Sequence, residues 1–228
     1  MSELSIAPAP LVRLLQLVSP ALPIGAFAYS HGLEAAVDLG FVEDPETAAS
    51  WIQGLLRHSL ATWEIPFVGR LYQGYERGDG GRVAYWNERL WASRASAELA
   101  EESRQLGVAL ARVSTQLGIA DASAWRTHAK ATYEAVFALA CTRWDIPIEI
   151  GARAYAFGWC EMLVAAATKL VPLGQTDSQG ILALLGSAVG PATDRGLSLA
   201  DDEMTSFALA HAMASAFHET QYTRLFRS

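Results

Sequence analysis

A chain of 228 residues is long enough to bury a sizeable core, as one large helical domain or two small ones. Hydrophobic residues make up 51% and charged residues only 18%, so the surface is short of solvating groups and much apolar area is expected to be covered by partner subunits. A net charge of −7 with no clustered Lys and Arg argues against a general nucleic-acid binder, and no uninterrupted apolar run reaches the ~18 residues of a membrane helix.

In chain order, Met1 to Pro10 reads as a flexible arm and residues 11–219 as an all-helical domain. The apolar stretch ending in Ala26-Phe27-Ala28 imitates a signal peptide, but Glu3 replaces a basic start and Gln16, Ser19, Pro20 and Pro23 interrupt the run, so a cytoplasmic protein is expected. A helix from Leu11 should stop near Val18, because Pro20 and Pro23 fix φ and remove donors. Gly25 permits a tight turn, and Ser30-His31-Gly32-Leu33-Glu34 opens a second helix that Gly40 closes. Asp44-Pro45-Glu46 supplies a cap, a first-turn proline and an acidic first turn for a helix carrying Trp51, Ile52, Leu55, Leu56, Leu60 and Trp63, which Pro66 should break or kink.

Beyond the turn at Arg77 to Gly81, a helix from Arg82 places Val83, Trp86, Leu90 and Trp91 on one side and Asn87, Glu88 and Arg89 mostly opposite. Ser93 or Ser96 begins the next, whose charges between Glu98 and Arg104 read as a solvated face and whose Gly107 implies a close helix crossing. Asp121 is expected to start a helix running through Trp125 to Leu139. Residues 147 to 170 are apolar nearly all round and predict a central helix. A short helix through Leu185 should end at Gly190-Pro191, residues 192 to 199 should form a loop, and Ser198 to Asp201 should cap the last helix. No strand alternation persists, so the fold class is all-α: a single bundle domain of about ten helices.

Most catalytic and cofactor chemistry is absent from the pattern. Lys169 to Thr176 holds Lys and Gly in the wrong order for a phosphate-binding loop, so GTP hydrolysis by this chain is not expected. His211 and His218 could share one helix face, whereas His31, His58 and His128 stand alone, and none shows metal-ligand spacing. Cys141 and Cys160 lie in apolar helices and read as buried structural thiols of a reducing compartment. Tyr29, Ser30 and His31 fit either core, cap and surface, or a rigid patch for a partner. Glu34 and Lys169 fit helix-terminus charges or partner contacts. Residues 220–228 combine Tyr222, Leu225 and Phe226 with Arg224, a mixture favoured in interface hot spots; the alternative is that this tail folds back on its own bundle.

Four pieces of sequence carry a family resemblance. They are Ser19-Pro20-Ala21-Leu22-Pro23 continuing through Gly25, Phe27, Tyr29-Ser30 and Gly32-Leu33-Glu34; Glu102-Ser103 with Gly107; Lys169 to Thr176, including Gln175; and His218 to Ser228. In this order they resemble the urease accessory protein family UreF, while Ala26 and Ala100 depart from what many members carry. The resemblance implies an all-helical homodimer that bridges UreD (also called UreH) and the GTPase UreG in the complex delivering nickel to apo-urease. It implies no cofactor bound directly, nickel and GTP being handled through partners. It also implies that Glu34 and Lys169 face UreG and that the tail orders against UreD. Two rivals stay open: a helical enzyme with an apolar pocket using His31 or His128 as a base, and a peripheral membrane protein.

Overall fold

The computed structural model describes residues 4–228, and among these it contains ten α-helices and no strand, in one domain. Helix α1 (Pro8–Leu17) starts on a first-turn proline and buries Leu14 and Leu17. The last three residues of the predicted arm are therefore helical, and Met1 to Glu3 lie outside the described residues. After the proline-pinned break, Gly25 takes φ +81 before a single 3-10 turn at Ala26–Ala28. Helix α2 (Leu33–Asp38) follows Gly32 at φ +77 and ends at Gly40, φ +74.

Helix α3 (Pro45–Leu55) begins with the Asp44 cap, whose carboxylate accepts from the Thr47 N–H at 2.8 Å. The predicted break at Pro66 falls earlier. A π turn at Leu56–Leu60 loosens the chain, and α4 (Glu64–Glu76) places Pro66 in its first turn, where its missing N–H costs nothing. Helices α5 (Gly80–Ala92) and α7 (Tyr133–Arg143) pack on α4, and α6 (Ala97–Gln116) packs on α7. Gly107 on α6 sits where a Cβ would come within 2.8 Å of the Thr132 carbonyl carbon, so the close crossing is with the start of α7.

Several local expectations are corrected. Asn87 is not on a solvated side: it is buried, its amide donates to the Lys130 carbonyl at 2.8 Å, and its oxygen accepts from the Thr132 hydroxyl at 2.8 Å. Glu102 and Ser103 in the supposed solvated face are buried as well. The helix expected from Asp121 is a 3-10 segment, Ala120–Thr127, separated from α7 by residues 128–132, and Thr132 caps α7 instead. Helix α8 (Ile148–Leu170) is the central rod, its small residues letting neighbours approach; Gly151 lies against the Cys141 sulfur.

The largest correction concerns α9 (Gln175–Ser198), which continues through Pro191 and absorbs most of the predicted loop. Packing outweighs the lost hydrogen bond. Val189, Ala192, Thr193 and Gly196 are buried along its inner face, and a Cβ at Gly196 would meet the Ala61 carbonyl oxygen at 2.5 Å. Residues 199–208 are then irregular, pinned where Phe207 N–H donates to the His58 carbonyl and Thr205 N–H to the Thr62 carbonyl, both at 3.1 Å. Thus Ser198 ends a helix rather than capping one. Helix α10 (Leu209–His218) lies on α2 and carries the last residues back across the break at residues 19–34.

Candidate functional site: a terminal strap over Glu34

The last residues return to the turn between α1 and α2, and the reason is a buried carboxylate. Glu34, in the first turn of α2, is only 6% exposed, so its charge must be met inside the protein. The tail meets it. Leu225 N–H donates to Glu34 Oε1 at 2.6 Å and Phe226 N–H to Oε2 at 2.8 Å, while His218 Nε2 lies 3.3 Å from Oε2. On its other side His218 Nδ1 is 2.5 Å from Glu98 Oε2, and Arg224 pairs with Glu98 Oε1 at 2.5 Å. Beyond this clamp the backbone pairs with residues 28–30: Arg227 N–H donates to the Ala28 carbonyl, and Ser30 gives both its N–H and its hydroxyl to the Ser228 carbonyl. The Ser228 hydroxyl in turn donates to Glu102.

Ordering five residues costs about 1–2 kcal/mol each in backbone entropy. Hydrogen bonds to a charged acceptor return about 1.5–3 kcal/mol each. Glu34, which accepts two such bonds, therefore offsets a large share of that cost.

The predicted site residues separate into those the strap gathers and those it leaves out. Tyr29 is buried, its hydroxyl donating to Gln105 Oε1 at 2.6 Å, and Ser30 is fully buried beneath Ser228. Lys169, exposed at the end of α8, sets its ammonium 5.2 Å above the Phe226 ring, a cation–π contact. Phe226 itself is buried, whereas Tyr222 and Leu225 point outward, Tyr222 being 103% exposed. Arg224 is exposed but held by Glu98. Gln175, exposed at the first position of α9, forms no hydrogen bond to this group.

His31 sits in the left-handed region, φ 54, stacked on His211 at 4.8 Å and edge-on to Trp159. Its carbonyl is 3.1 Å from His211 Nε2. Burial, with His31 beside it, lowers the His211 pKa to about 3, so the ring stays neutral. Composition and spacing missed His218 and Glu98 as parts of the clamp, because their partners lie more than a hundred residues away. The only signal available was that an acidic residue in a first turn otherwise built of Leu33, Ala35 and Ala36 needs a partner.

Next to the strap lies a cavity of about 280 Å³. Its mouth is apolar, with Leu22, Phe27 and Met162, and its floor carries Arg94, Glu134 and Tyr155. Arg94 donates to Glu134 at 2.8 Å and Glu64 at 3.3 Å, and the Tyr155 hydroxyl donates to Glu134 at 2.9 Å. Burial alone would raise the Glu134 carboxyl, but Arg94 holds it below the usual range; burial pushes the Tyr155 phenol well up. Arg94 thus bridges two carboxylates, Glu134 and Glu64, and Glu134 is already engaged by both the guanidinium and the Tyr155 hydroxyl. His31 lines the cavity with Nδ1 at 3.6 Å from Glu102 Oε1, beyond hydrogen-bond reach, and His128 is not among the lining residues. Cys160 is pushed up to about 12 by burial, and the Cys141 thiol is raised further still, so neither is an activated nucleophile. Among the described residues no three His, Cys, Asp or Glu side chains are arranged to hold a metal ion, and no helix is long and apolar enough to cross a membrane.

Comparison with known proteins decides the family. The chain is 47% identical over 216 residues to the urease accessory protein UreF of Alkalilimnicola ehrlichii, covering 95% of each. It belongs to the UreF family. A family model described as UreF matches residues 42–186. UreF of an Azoarcus species is 44% identical over 96% of both chains, and UreF of Pseudomonas putida is 41% identical over 96% of this chain and 97% of its own. The urease accessory role indicated by the four motifs thus extends over nearly the whole chain, including the region between Gly40 and Asp145 where the motifs are sparse.

Proposed function

We propose that this UreF-family chain bridges UreD and UreG in the complex that delivers nickel to apo-urease, acting as scaffold and as modulator of the GTPase without a reaction centre of its own. The observation that carries the reading is the strap. It places the outward Tyr222 and Leu225, the exposed Lys169 and the apolar outer side of α10 (Leu209, Met213 and Phe217) at one end of the molecule. Aromatic and aliphatic anchors beside a cation are what a protein partner recognises. In this reading the tail and α10 meet UreD, while Lys169 adjoins the UreG face and Gln175 lies at its edge. Nickel and GTP are cargo and ligand of the assembly, held by partners.

A homodimer and a cytoplasmic location complete the proposal. Phe157 on α8 and Leu184 on α9 are 39% and 48% exposed, large apolar groups that a second copy would cover. The unbridged, buried Cys141 and Cys160 suit a reducing compartment. The test is co-purification with UreD and UreG of the full chain and of one ending at His218. Truncation is expected to abolish or strongly weaken retention of UreD, and undiminished retention would remove the tail from the reading. Light scattering that returns a monomer at high concentration would remove the dimer.

A further inference from the structure

Contact of Glu34 with a partner requires an accessible carboxylate, and in this structure it is not accessible. One oxygen accepts from Leu225 N–H, the other from Phe226 N–H with His218 beside it, and the residue is 6% exposed. What faces outward at this place is the strap, through Tyr222 and Leu225. The strap is docked chiefly through its backbone, since Leu225, Phe226, Arg227 and Ser228 each use a main-chain group on α2 or on residues 28–30. Glu34 is the one side chain that takes two of these groups at once.

We propose that Glu34 is a positioning residue: its carboxylate docks the strap in the conformation that presents Tyr222 and Leu225, and its influence on partner binding passes through them. The partner is a protein offering apolar sockets to those two exposed side chains. This rests on the proposed role for the part that concerns UreD, which is the partner assigned to the tail. A strap already docked binds without the ordering cost that a free tail would incur, so undocking it weakens association even though no contact with the partner is removed.

The claim is tested in two arms on the full chain. Amide exchange of Leu225 and Phe226 in the protein alone is compared between the unaltered chain, Glu34→Gln and Glu34→Ala. Exchange at both amides is expected to be at least about tenfold faster in Glu34→Ala, with Glu34→Gln intermediate because one acceptor oxygen remains, while amides in α8 are unchanged. Affinity for UreD is then measured for Glu34→Ala, for the pair Tyr222→Ala and Leu225→Ala, and for all three together. Glu34→Ala is expected to weaken binding about tenfold or more, and less than additively with the tail pair. Unchanged exchange in both Glu34 variants, additive losses, or tighter binding by Glu34→Ala would each overturn the proposal. Should Glu34→Ala not fold, Glu34→Gln carries both arms with the smaller expected change. If the unaltered chain does not bind UreD, the proposed function fails and the exchange arm alone decides whether Glu34 positions the strap.

Discussion

Two buried carboxylates, Glu134 and Glu34, meet the same physical demand in opposite ways. Glu134, at the start of α7, is satisfied by side chains rooted in three other helices or their flanks: Arg94 after α5, Tyr155 on α8 and Ser103 on α6. Tyr155 and Ser103 are fixed by the packing of their helices and Arg94 by its pairing with both Glu64 and Glu134, so the network opens only when the bundle does. Glu34 has one partner rooted in a helix, His218 at the end of α10, but both of its oxygens also accept from backbone amides of a segment outside any helix. The first arrangement ties charge to global stability, and the second ties it to the position of one short segment. A charged residue inside a protein is thus a structural rivet or a latch according to whether its partners can leave.

The sharpest break of this comparison is Arg94→Met. It would leave Glu64 and Glu134 buried without their cation, and the expected cost is about 3–5 kcal/mol of global stability, read as a lower denaturant midpoint. Tail exchange should change only in step with global unfolding. A mild effect would show that water reaches the cavity floor and shields both carboxylates.

Acid should act next most strongly, through His211. The unfolded chain takes up a proton near the ordinary 6.5, whereas the folded ring does so only near 3. Its contribution is therefore complete above about pH 6.5 and is lost as pH falls through that window, on the order of a few kcal/mol in full. Glu102 and Arg94 bound the same region, so the reading is a difference: unfolding free energy against pH for the unaltered chain and for His211→Gln, with a shallower fall expected in the variant.

Gly107→Ala comes third. The added methyl would lie 2.8–3.1 Å from three backbone atoms of Thr132 and Tyr133, and backbone does not yield as a side-chain tip does. A loss of about 1–3 kcal/mol is expected in thermal unfolding, from strain at the α6–α7 crossing that anchors the Glu134 network. The smallest effect belongs to Lys169→Met, which keeps most of the apolar stem but loses the ammonium over Phe226. At this exposed site about 0.5–1 kcal/mol is at stake, and it should appear as modestly faster exchange of the strap with an unaltered melting temperature.

Sequence reasoning reached most of the helices and the family. The Asp44-Pro45 start, the Gly40 stop and the apolar periodicity of α5 and α8 are signals spanning a few residues, and they behave as local chemistry requires. It failed where long-range packing overruled a local rule. Pro191 ends an isolated helix, yet here α8, the turn at Ala61 and Ile65 on α4 hold α9 together across it. Asn87, Glu102 and Ser103 look like surface, yet their partners wait on other elements.

The order of residues by itself determined an all-helical chain with a pinned break at residues 19–25, a central apolar rod and UreF-family motifs at both ends. Each of these depends on neighbours within a turn or two, or on motif order along the chain. Only the tertiary structure decided that Glu34, His218, Lys169 and the last five residues form one unit. The reason is that a carboxylate's partners are chosen by which groups the fold carries to it. Spacing along the chain says nothing about amides nearly two hundred positions away.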